Sequence, residues 1–144
     1  MSHNPSCWMC KGLAEENPLT ICELKYSVAR LNRDQYFKGY TFVVFKRHAT
    51  ELYQIGEVER ECFLVEMVRV ADALSQVFKP DKMNYELLGN KMPHLHWHLI
   101  PRYRSEPMWG EPVWSSEHFE RRLSYKEYQK IIGQVRAKLD SNED

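Results

Sequence analysis

Hydrophobic residues recur at two different periods along the chain, and the change of period separates predicted strands from predicted helices. Residues 19–31 and 39–47 are rich in β-branched and aromatic side chains, which favour strands. The polar residues between these two runs are typical of a turn. The simplest interpretation is a pair of antiparallel strands.

A helical period follows the second run. Apolar side chains recur every three or four positions from Glu57 to Phe78, and the charged side chains lie mostly on the other faces. This pattern predicts a long amphipathic helix. Pro80 is expected to end it, because proline has no N–H group and disfavours helical geometry in the preceding residue.

Strand composition returns in residues 83–90 and 94–102, and the four residues 124–127 (Ser-Tyr-Lys-Glu) form a capping box before a final helix that is expected to reach Leu139. Short connections and few helices favour an α+β fold. We therefore predict an antiparallel sheet with one long covering helix and a C-terminal helix, in preference to a doubly wound parallel sheet.

The length of 144 residues suits one domain, and no internal repeat or low-complexity tract divides it. We predict a single domain over residues 1–144. Within it, residues 1–18 form a polar N-terminal knuckle broken by proline, and residues 103–144 form a C-terminal loop and helix. This N-terminal knuckle needs an additional interaction to hold it against the rest of the fold, and a bound metal is one candidate.

Charge and hydropathy exclude several classes of partner. Twenty Lys and Arg residues balance twenty Asp and Glu residues, which is not the composition of a non-specific nucleic-acid or anionic-membrane binder. Neither a basic-then-apolar leader nor a run of 18 apolar residues is visible. The expectation is a cytoplasmic protein without nucleic-acid or membrane partners.

Three histidines at alternating positions carry the candidate chemistry. Because strand side chains alternate faces, His94, His96 and His98 are expected on one face, about 6–7 Å apart. The intervening side chains are expected to enter the core: Leu95, Trp97 and Leu99.

The residues alone leave three interpretations of this face open. The histidines could occupy the solvated side of an edge strand. They could bind Zn²⁺ as a three-histidine catalytic site with an open water position. One neutral imidazole could instead attack an electrophile while its neighbours bind the charge of the leaving group.

A second motif, Cys7-x-x-Cys10, is also ambiguous by itself. A redox pair would need a following βαβ pattern, which is absent from the sequence pattern, and a structural zinc site would need two further ligands. Uncoordinated thiols are the third possibility.

Residues 94–102, with the pattern His-x-His-x-His, two apolar residues and Pro-Arg, resemble the signature of the histidine triad superfamily. The resemblance covers roughly Cys7 to Arg102 and includes the order of strands and the long helix. It implies an α+β nucleotide hydrolase or nucleotidyltransferase, usually a homodimer, that cleaves at the α-phosphate. A purine-nucleotide substrate such as a dinucleoside polyphosphate or an adenylate adduct is implied, with hydrolysis or transfer left open.

The resemblance also implies residue roles. His96 matches the nucleophile that forms a nucleotidyl-histidine intermediate, and His98 matches the residue that contacts the phosphate and assists the leaving group. Asn32 matches a polar residue at the ribose. Asn90 stands where many members have a phosphate-binding glutamine, and Tyr40 stands where some relatives have histidine.

A zinc-bearing, bacterial-type branch of the superfamily, related to diadenosine polyphosphate hydrolases, matches the cysteine motif. The resemblance to this branch implies a structural Zn²⁺ on four ligands: Cys7, Cys10, His48 and His94. His94 would then be a metal ligand and would take no part in proton transfer. No organic cofactor is implied.

Two rival functions remain at this level: a zinc hydrolase that uses all three histidines as ligands, and a non-catalytic nucleotide-binding module. In the C-terminal loop, Trp109 and Trp114 could stack on a base or line a dimer surface.

His118 is expected to be a solvated surface residue. Arg102 is expected either to be solvated or to reach phosphate oxygens.

Overall fold

A computed structural model describes residues 3–141 and contains a five-stranded antiparallel sheet in the order β1-β2-β3-β5-β4. The strands are β1 (Thr20–Glu23), β2 (Ser27–Leu31), β3 (Thr41–Phe45), β4 (Lys82–Glu86) and β5 (His96–Arg102). The helices are α1 (Trp8–Ala14), α2 (Glu57–Phe78) and α3 (Tyr125–Ser141). Short 3₁₀ turns span Leu52–Gln54 and Val113–Ser115.

The predicted α+β fold and both long helices are confirmed. Helix α2 has the predicted bounds, and the residue that caps its C-terminus, Lys79, adopts the left-handed conformation with φ 49°. At the start of α3 the Ser124 hydroxyl accepts from the Glu127 N–H at 3.2 Å. The Glu127 carboxylate accepts from the Ser124 N–H at 3.1 Å, which completes the predicted capping box.

The prediction of one strand over residues 19–31 is wrong, because a hairpin divides this run into β1 and β2. A long-range contact holds the turn between the two strands. The carboxylate of Glu66, a buried residue of α2, accepts from the Ser27 hydroxyl at 2.6 Å and from the Tyr26 N–H at 3.1 Å. Local composition carries no sign of a carboxylate 39 positions away in the chain. The N-terminal knuckle likewise contains a short helix, α1, that sequence did not predict.

Helices α2 and α3 cover one face of the sheet and leave the other face to the histidines. Leu95 and Leu99 are buried in the main core, and Trp97 packs against Phe63 of α2 with 6.1 Å between ring centroids, as the alternation of β5 predicts. No helix within residues 3–141 is long and apolar enough to cross a bilayer.

Gly39 precedes β3 at a point where only glycine fits. Its φ is +90°, a region that side chains disfavour. A Cβ at this position would lie 2.8 Å from the Phe78 ring and 2.9 Å from Pro101. At Gly39 the backbone therefore passes between the end of α2 and β5, where there is no room for a side chain.

We expect Gly39→Ala to lower the free energy of unfolding by about 2–4 kcal/mol, because backbone strain and overpacking add. Urea denaturation measures the change. Gly133→Ala is the matched control: Gly133 is an exposed residue of α3, and an added Cβ there meets nothing within 4 Å. The control should gain about 1 kcal/mol from helix propensity. Equal stability of Gly39→Ala and the unmodified protein would contradict the packing described above.

Candidate active site

His96 and His98 project from β5, an interior strand between β3 and β4, on the face opposite α2. In the ladder, His96 pairs with Val44 of β3, and His98 lies between Phe42 of β3 and Glu86 of β4. The two imidazoles are 5% and 6% exposed, and their ring centroids are 4.8 Å apart. The interpretation as a solvated face of an edge strand is therefore wrong. His94 lies just before β5.

The hydrogen bond of His96 determines which of its nitrogens is free. His96 Nδ1 donates to the His94 carbonyl oxygen at 2.6 Å. Because a carbonyl can only accept, Nδ1 carries the hydrogen and Nε2 keeps its lone pair. Burial lowers the pKa of His96, and this bond opposes that effect, so the imidazole is neutral near pH 7. His96 thus presents an unprotonated, nucleophilic nitrogen.

His98 has a different environment. Its Nδ1 lies 2.7 Å from the Tyr40 hydroxyl, and its Nε2 is buried without a hydrogen-bond partner among the described residues. Burial, with a smaller effect from His96, lowers the pKa of His98 to about 4. A buried, unpaired polar nitrogen is costly unless a ligand pairs with it. His98 Nε2 is therefore the atom of the histidine pair most in need of a bound partner.

One cavity is lined by the histidine pair, and a second lies beside Phe42, a neighbour of both histidines. The larger, of about 480 Å³, lies over β2 and β3 and is lined by Trp8, Asn32 and Phe42 among others. The smaller, of about 280 Å³, is lined by both histidines together with residues of the β4–β5 loop and the C-terminal loop. These lining residues are Leu88, Gly89, Asn90, Lys91, Met92 and Trp114. The smaller cavity thus opens on the histidines themselves, and the larger one is lined by Phe42, whose ring lies 6.1 Å from His96 and 5.3 Å from His98.

The two asparagines from the sequence analysis lie in different cavities. Asn32 is half-buried in the larger one, and its Oδ1 accepts from the Asp34 N–H at 3.0 Å, which leaves the side-chain NH₂ group as its potential ligand contact. Asn90 is exposed at the mouth of the smaller one.

The four predicted metal ligands converge at the edge of this site. One donor atom from each of Cys7, Cys10, His48 and His94 lies within 4.8 Å of every other. Cys7 Sγ and Cys10 Sγ are 3.4 and 3.6 Å from His94 Nδ1, and Cys10 Sγ is 3.5 Å from His48 Nδ1. Tetrahedral zinc with Zn–S of about 2.3 Å and Zn–N of about 2.05 Å places S and N roughly 3.6 Å apart. The donor set therefore fits a closed tetrahedral site.

His94 is oriented toward the two thiols by its other nitrogen. His94 Nε2 donates to the Phe45 carbonyl oxygen at 2.7 Å, so Nδ1 keeps its lone pair on the thiol side. Burial lowers the pKa of His94, which keeps the imidazole neutral. Burial also raises the pKa of the Cys10 thiol, so a cation is what would favour its thiolate form.

Sequence reasoning assigned no site role to Glu86 and left the role of Trp114 open. The Trp114 indole N–H donates to the Glu86 carboxylate at 3.0 Å, and its ring stands at 89° to His98 with 5.6 Å between centroids. In the sequence, the only indication of a role for Trp114 was its place as a large aromatic side chain in an irregular loop. Trp114 forms a wall of the smaller cavity.

Two expectations about surface residues are wrong. His118 is not solvated: its Nε2 is 2.8 Å from the Asp34 carboxylate, and its ring stacks on Tyr36 at 4.1 Å. Arg102 is neither solvated nor directed at the histidines. It is 1% exposed and binds groups of β4 and the C-terminal loop: Asn84 Oδ1, the carboxylate of Glu106 and the carbonyls of Met108 and Glu111.

The fold and site together define a class of protein: a small α+β domain with two neutral histidines on an interior strand and a Cys₂His₂ group beside them. A family model described as the HIT domain matches residues 14–105. The chain belongs to this histidine triad family.

Solved structures and curated proteins agree with this membership. A histidine triad protein, blr8122 from Bradyrhizobium japonicum, superposes with a TM-score of 0.75 at 31% identity, over 83% of this chain and 89% of that one. A zinc-bound histidine triad family protein from Mycobacterium smegmatis has the same fold, with a TM-score of 0.73 at 21% identity over 96% and 98% of the two chains. The yeast adenosine 5'-monophosphoramidase HNT1 is 28% identical over 67% of this chain and 63% of its own.

Proposed function

We propose that this protein is a nucleotide hydrolase or nucleotidyltransferase that cleaves at the α-phosphate of a dinucleoside polyphosphate or an adenylate adduct. The observation that carries the proposal is the geometry of the histidine pair. His96 has a free Nε2 lone pair, and the unpaired Nε2 of His98 belongs to a ring only 4.8 Å away. One nitrogen can attack phosphorus while the other contacts the phosphate.

In the proposed reaction, His96 Nε2 forms a bond to the α-phosphorus, and the bond from phosphorus to the leaving group breaks with the electron pair going to that group. His98 contacts the phosphate and assists the departure. A water molecule or a second acceptor then attacks the phosphorus of the nucleotidyl-histidine, and the P–N bond breaks with its electron pair returning to His96 Nε2. The proton lost by the attacking group replaces the one taken up by the leaving group, so the nucleotide is released and His96 is neutral again.

The electrostatics suit this chemistry. Negative charge spreads over the phosphate oxygens during transfer, so the enzyme needs donors that are already oriented toward those oxygens. Buried neutral imidazoles and side-chain amides can supply such donors without a cluster of cations. A chain with balanced charge can therefore act on an anionic substrate.

The two cavities suggest how the substrate binds. We assign the nucleoside to the larger cavity, with Asn32 at the ribose and the aromatic side chains of Trp8 and Phe42 available to a purine base. We assign the leaving group to the smaller cavity, with Asn90 near the phosphate. The activity named for the yeast relative, removal of an amine from an adenosine phosphoramidate, supports an adenylate adduct as one substrate.

The zinc-hydrolase alternative has less support. His94 Nδ1 faces the two thiols, and His96 Nδ1 is occupied by a backbone carbonyl. Within residues 3–141 the only cluster of potential metal ligands is the Cys₂His₂ group, which excludes His96 and His98. The non-catalytic nucleotide-binding module differs from our proposal in never forming a covalent adduct, and the experiment below separates them.

We expect His96→Ala to lower turnover of adenosine 5'-phosphoramidate and diadenosine tetraphosphate by on the order of 10⁴-fold or more, because the attacking nitrogen is removed. AMP binding should persist. Mass spectrometry of the unmodified enzyme, quenched in base during turnover, should show a nucleotide adduct on His96, and the adduct should be acid-labile.

His98→Ala should be milder, because charge stabilisation is weakened while the covalent route remains. His118→Ala is the matched control, since His118 lies outside the histidine pair, and it should retain both adduct and turnover. An adduct on another residue would overturn the assignment of the nucleophile. Binding of AMP without any adduct would favour the non-catalytic module.

We also propose that the Cys₂His₂ group binds a structural Zn²⁺, as in the zinc-bearing branch of the family. The closed four-ligand donor set supports this role. When bound, the ion would tie α1, which carries Cys10, to the segment before β5 that carries His94. It would take no part in the bond-making step.

Protein prepared without chelators should contain about one zinc per chain, and Cys10→Ser should lose it. Loss of a ligand present at 1,000 times its dissociation constant costs about 4 kcal/mol of stability. Elemental analysis and urea denaturation measure the two effects. Cys22→Ser is the matched control because Cys22 lies outside the cluster. Zinc-free wild-type protein, or equal loss in the control, would refute the site.

A homodimer is the third part of the proposal. Helix α2 exposes apolar side chains that one chain leaves uncovered: Val58, Leu64, Val65 and Val68 are 49–64% exposed. Such a stripe on one helix suits self-association about a two-fold axis. The second copy would cover α2 on the side away from the histidines.

Sedimentation equilibrium should therefore give twice the chain mass of 17.2 kDa at micromolar concentration. Val65→Lys should shift the protein toward monomer, because a charge would be buried between the helices. Tyr53→Lys is the control, since Tyr53 is 78% exposed outside α2. A wild-type monomer, or a dimer unaffected by Val65→Lys, would rule out this interface.

A further inference from the structure

Tyr40 is the residue of the candidate site that has no assigned role. It immediately precedes β3, is 5% exposed, and places its hydroxyl oxygen 2.7 Å from His98 Nδ1. Its ring packs against Phe42 at 5.4 Å, and Phe42 packs in turn against His98 at 5.3 Å. The tyrosine thus contacts His98 directly and also through Phe42.

The backbone of Tyr40 is held in place from several directions. Its carbonyl accepts from the Asn32 N–H at 2.9 Å and from Gln35 Nε2 at 3.0 Å. Gln35, a buried side chain, also accepts from the Gly39 N–H at 2.9 Å. Because Gly39 itself is confined between Phe78 and Pro101, the backbone of Tyr40 is fixed, and the buried ring packed on Phe42 directs the hydroxyl to His98.

The direction of the Tyr40–His98 hydrogen bond follows from which groups would remain unpaired. A neutral imidazole has one N–H, and a phenol has one O–H. If His98 Nδ1 donated, the Tyr40 hydrogen would have no acceptor among the described residues, and His98 Nε2 would turn a lone pair toward the phosphate. If Tyr40 donates, the only unpaired group is an Nε2–H, which a phosphate oxygen can accept.

We propose that Tyr40 is a positioning residue that donates its hydroxyl hydrogen to His98 Nδ1 and thereby fixes His98 as the Nε2–H tautomer. This inference rests on the proposed function for its catalytic consequence. Under it, the two histidines are held in opposite tautomers by different partners. The His94 carbonyl leaves His96 with a lone pair at Nε2, whereas Tyr40 leaves His98 with a hydrogen at Nε2.

The different roles of His96 and His98 follow from these tautomers. A lone pair is needed to attack phosphorus, and an N–H donor is needed beside the oxygens on which charge develops. With both imidazoles neutral, the two requirements are met by hydrogen-bond direction alone. Tyr40 does not touch the reacting atoms in this arrangement and acts only through His98.

The test combines ¹⁵N NMR of the zinc-loaded, full-length protein labelled at histidine with steady-state kinetics of Tyr40→Phe. The His98 ring signals are assigned from their loss in His98→Asn. In the unmodified protein without substrate, we expect Nε2 of His98 to carry the hydrogen and Nδ1 to show the shift of a hydrogen-bond acceptor. In Tyr40→Phe, which keeps the ring, this preference should be lost.

With adenosine 5'-phosphoramidate as substrate, kcat of Tyr40→Phe should fall about 10-fold while KM changes little, because the donor acts on the transition state. Tyr36→Phe is the matched control: its hydroxyl makes no contact with His98 among the described residues, and it should retain wild-type kcat and the His98 tautomer.

An Nδ1–H tautomer of His98 in the unmodified protein would overturn the inference, and this measurement does not depend on how well the variant folds. An unchanged tautomer and unchanged kcat in Tyr40→Phe would also overturn it. Because the NMR experiment uses no substrate, its outcome is independent of the proposed function. Failure of the proposed function would appear instead as a wild-type enzyme that forms no adduct on His96.

Discussion

The hydrogen bond from His96 Nδ1 to the His94 carbonyl is the contact on which the site depends. It leaves His96 Nε2 free and joins the ring to a residue whose own side chain belongs to the Cys₂His₂ cluster. The backbone between these two residues therefore serves the metal-ligand group and the candidate nucleophile together. Any displacement of His94 would change both the donor set and the tautomer of His96.

Burial of strand β5 accounts for both the position and the neutral state of its two histidines. Strand β5 lies between β3 and β4, so its backbone is paired on both sides and its side chains divide between two faces. One face contributes Leu99 to the core beneath α2, and the other holds His96 and His98 with little exposure. Low exposure lowers the pKa of both imidazoles and keeps them neutral. The same packing thus provides both stability and the protonation state that the proposed chemistry needs.

The loops around the sheet complete the site through polar contacts. Arg102, buried at the end of β5, anchors the C-terminal loop through the carbonyls of Met108 and Glu111. The Glu86 carboxylate then accepts from Trp114 of that loop and holds it against His98. A buried arginine with several acceptors is a rigid tether, because each lost contact would leave a buried donor unpaired. This tether defines one wall of the smaller cavity.

The sequence by itself determined the bounds of α2, the capping box of α3, the two-faced alternation of β5 and the set of candidate site residues. These features depend on residues within a few positions of one another, where periodicity and capping operate. Only the tertiary structure decided the contact of the β1–β2 turn with Glu66, the stacking of His118 and the burial of Arg102. It also decided the approach of Cys7 to His94, 87 positions apart, and of Tyr40 to His98, 58 positions apart. The hydrogen of His98 is positioned by such a distant partner, Tyr40, because a neutral imidazole can carry its hydrogen on either nitrogen until a neighbour in space selects one.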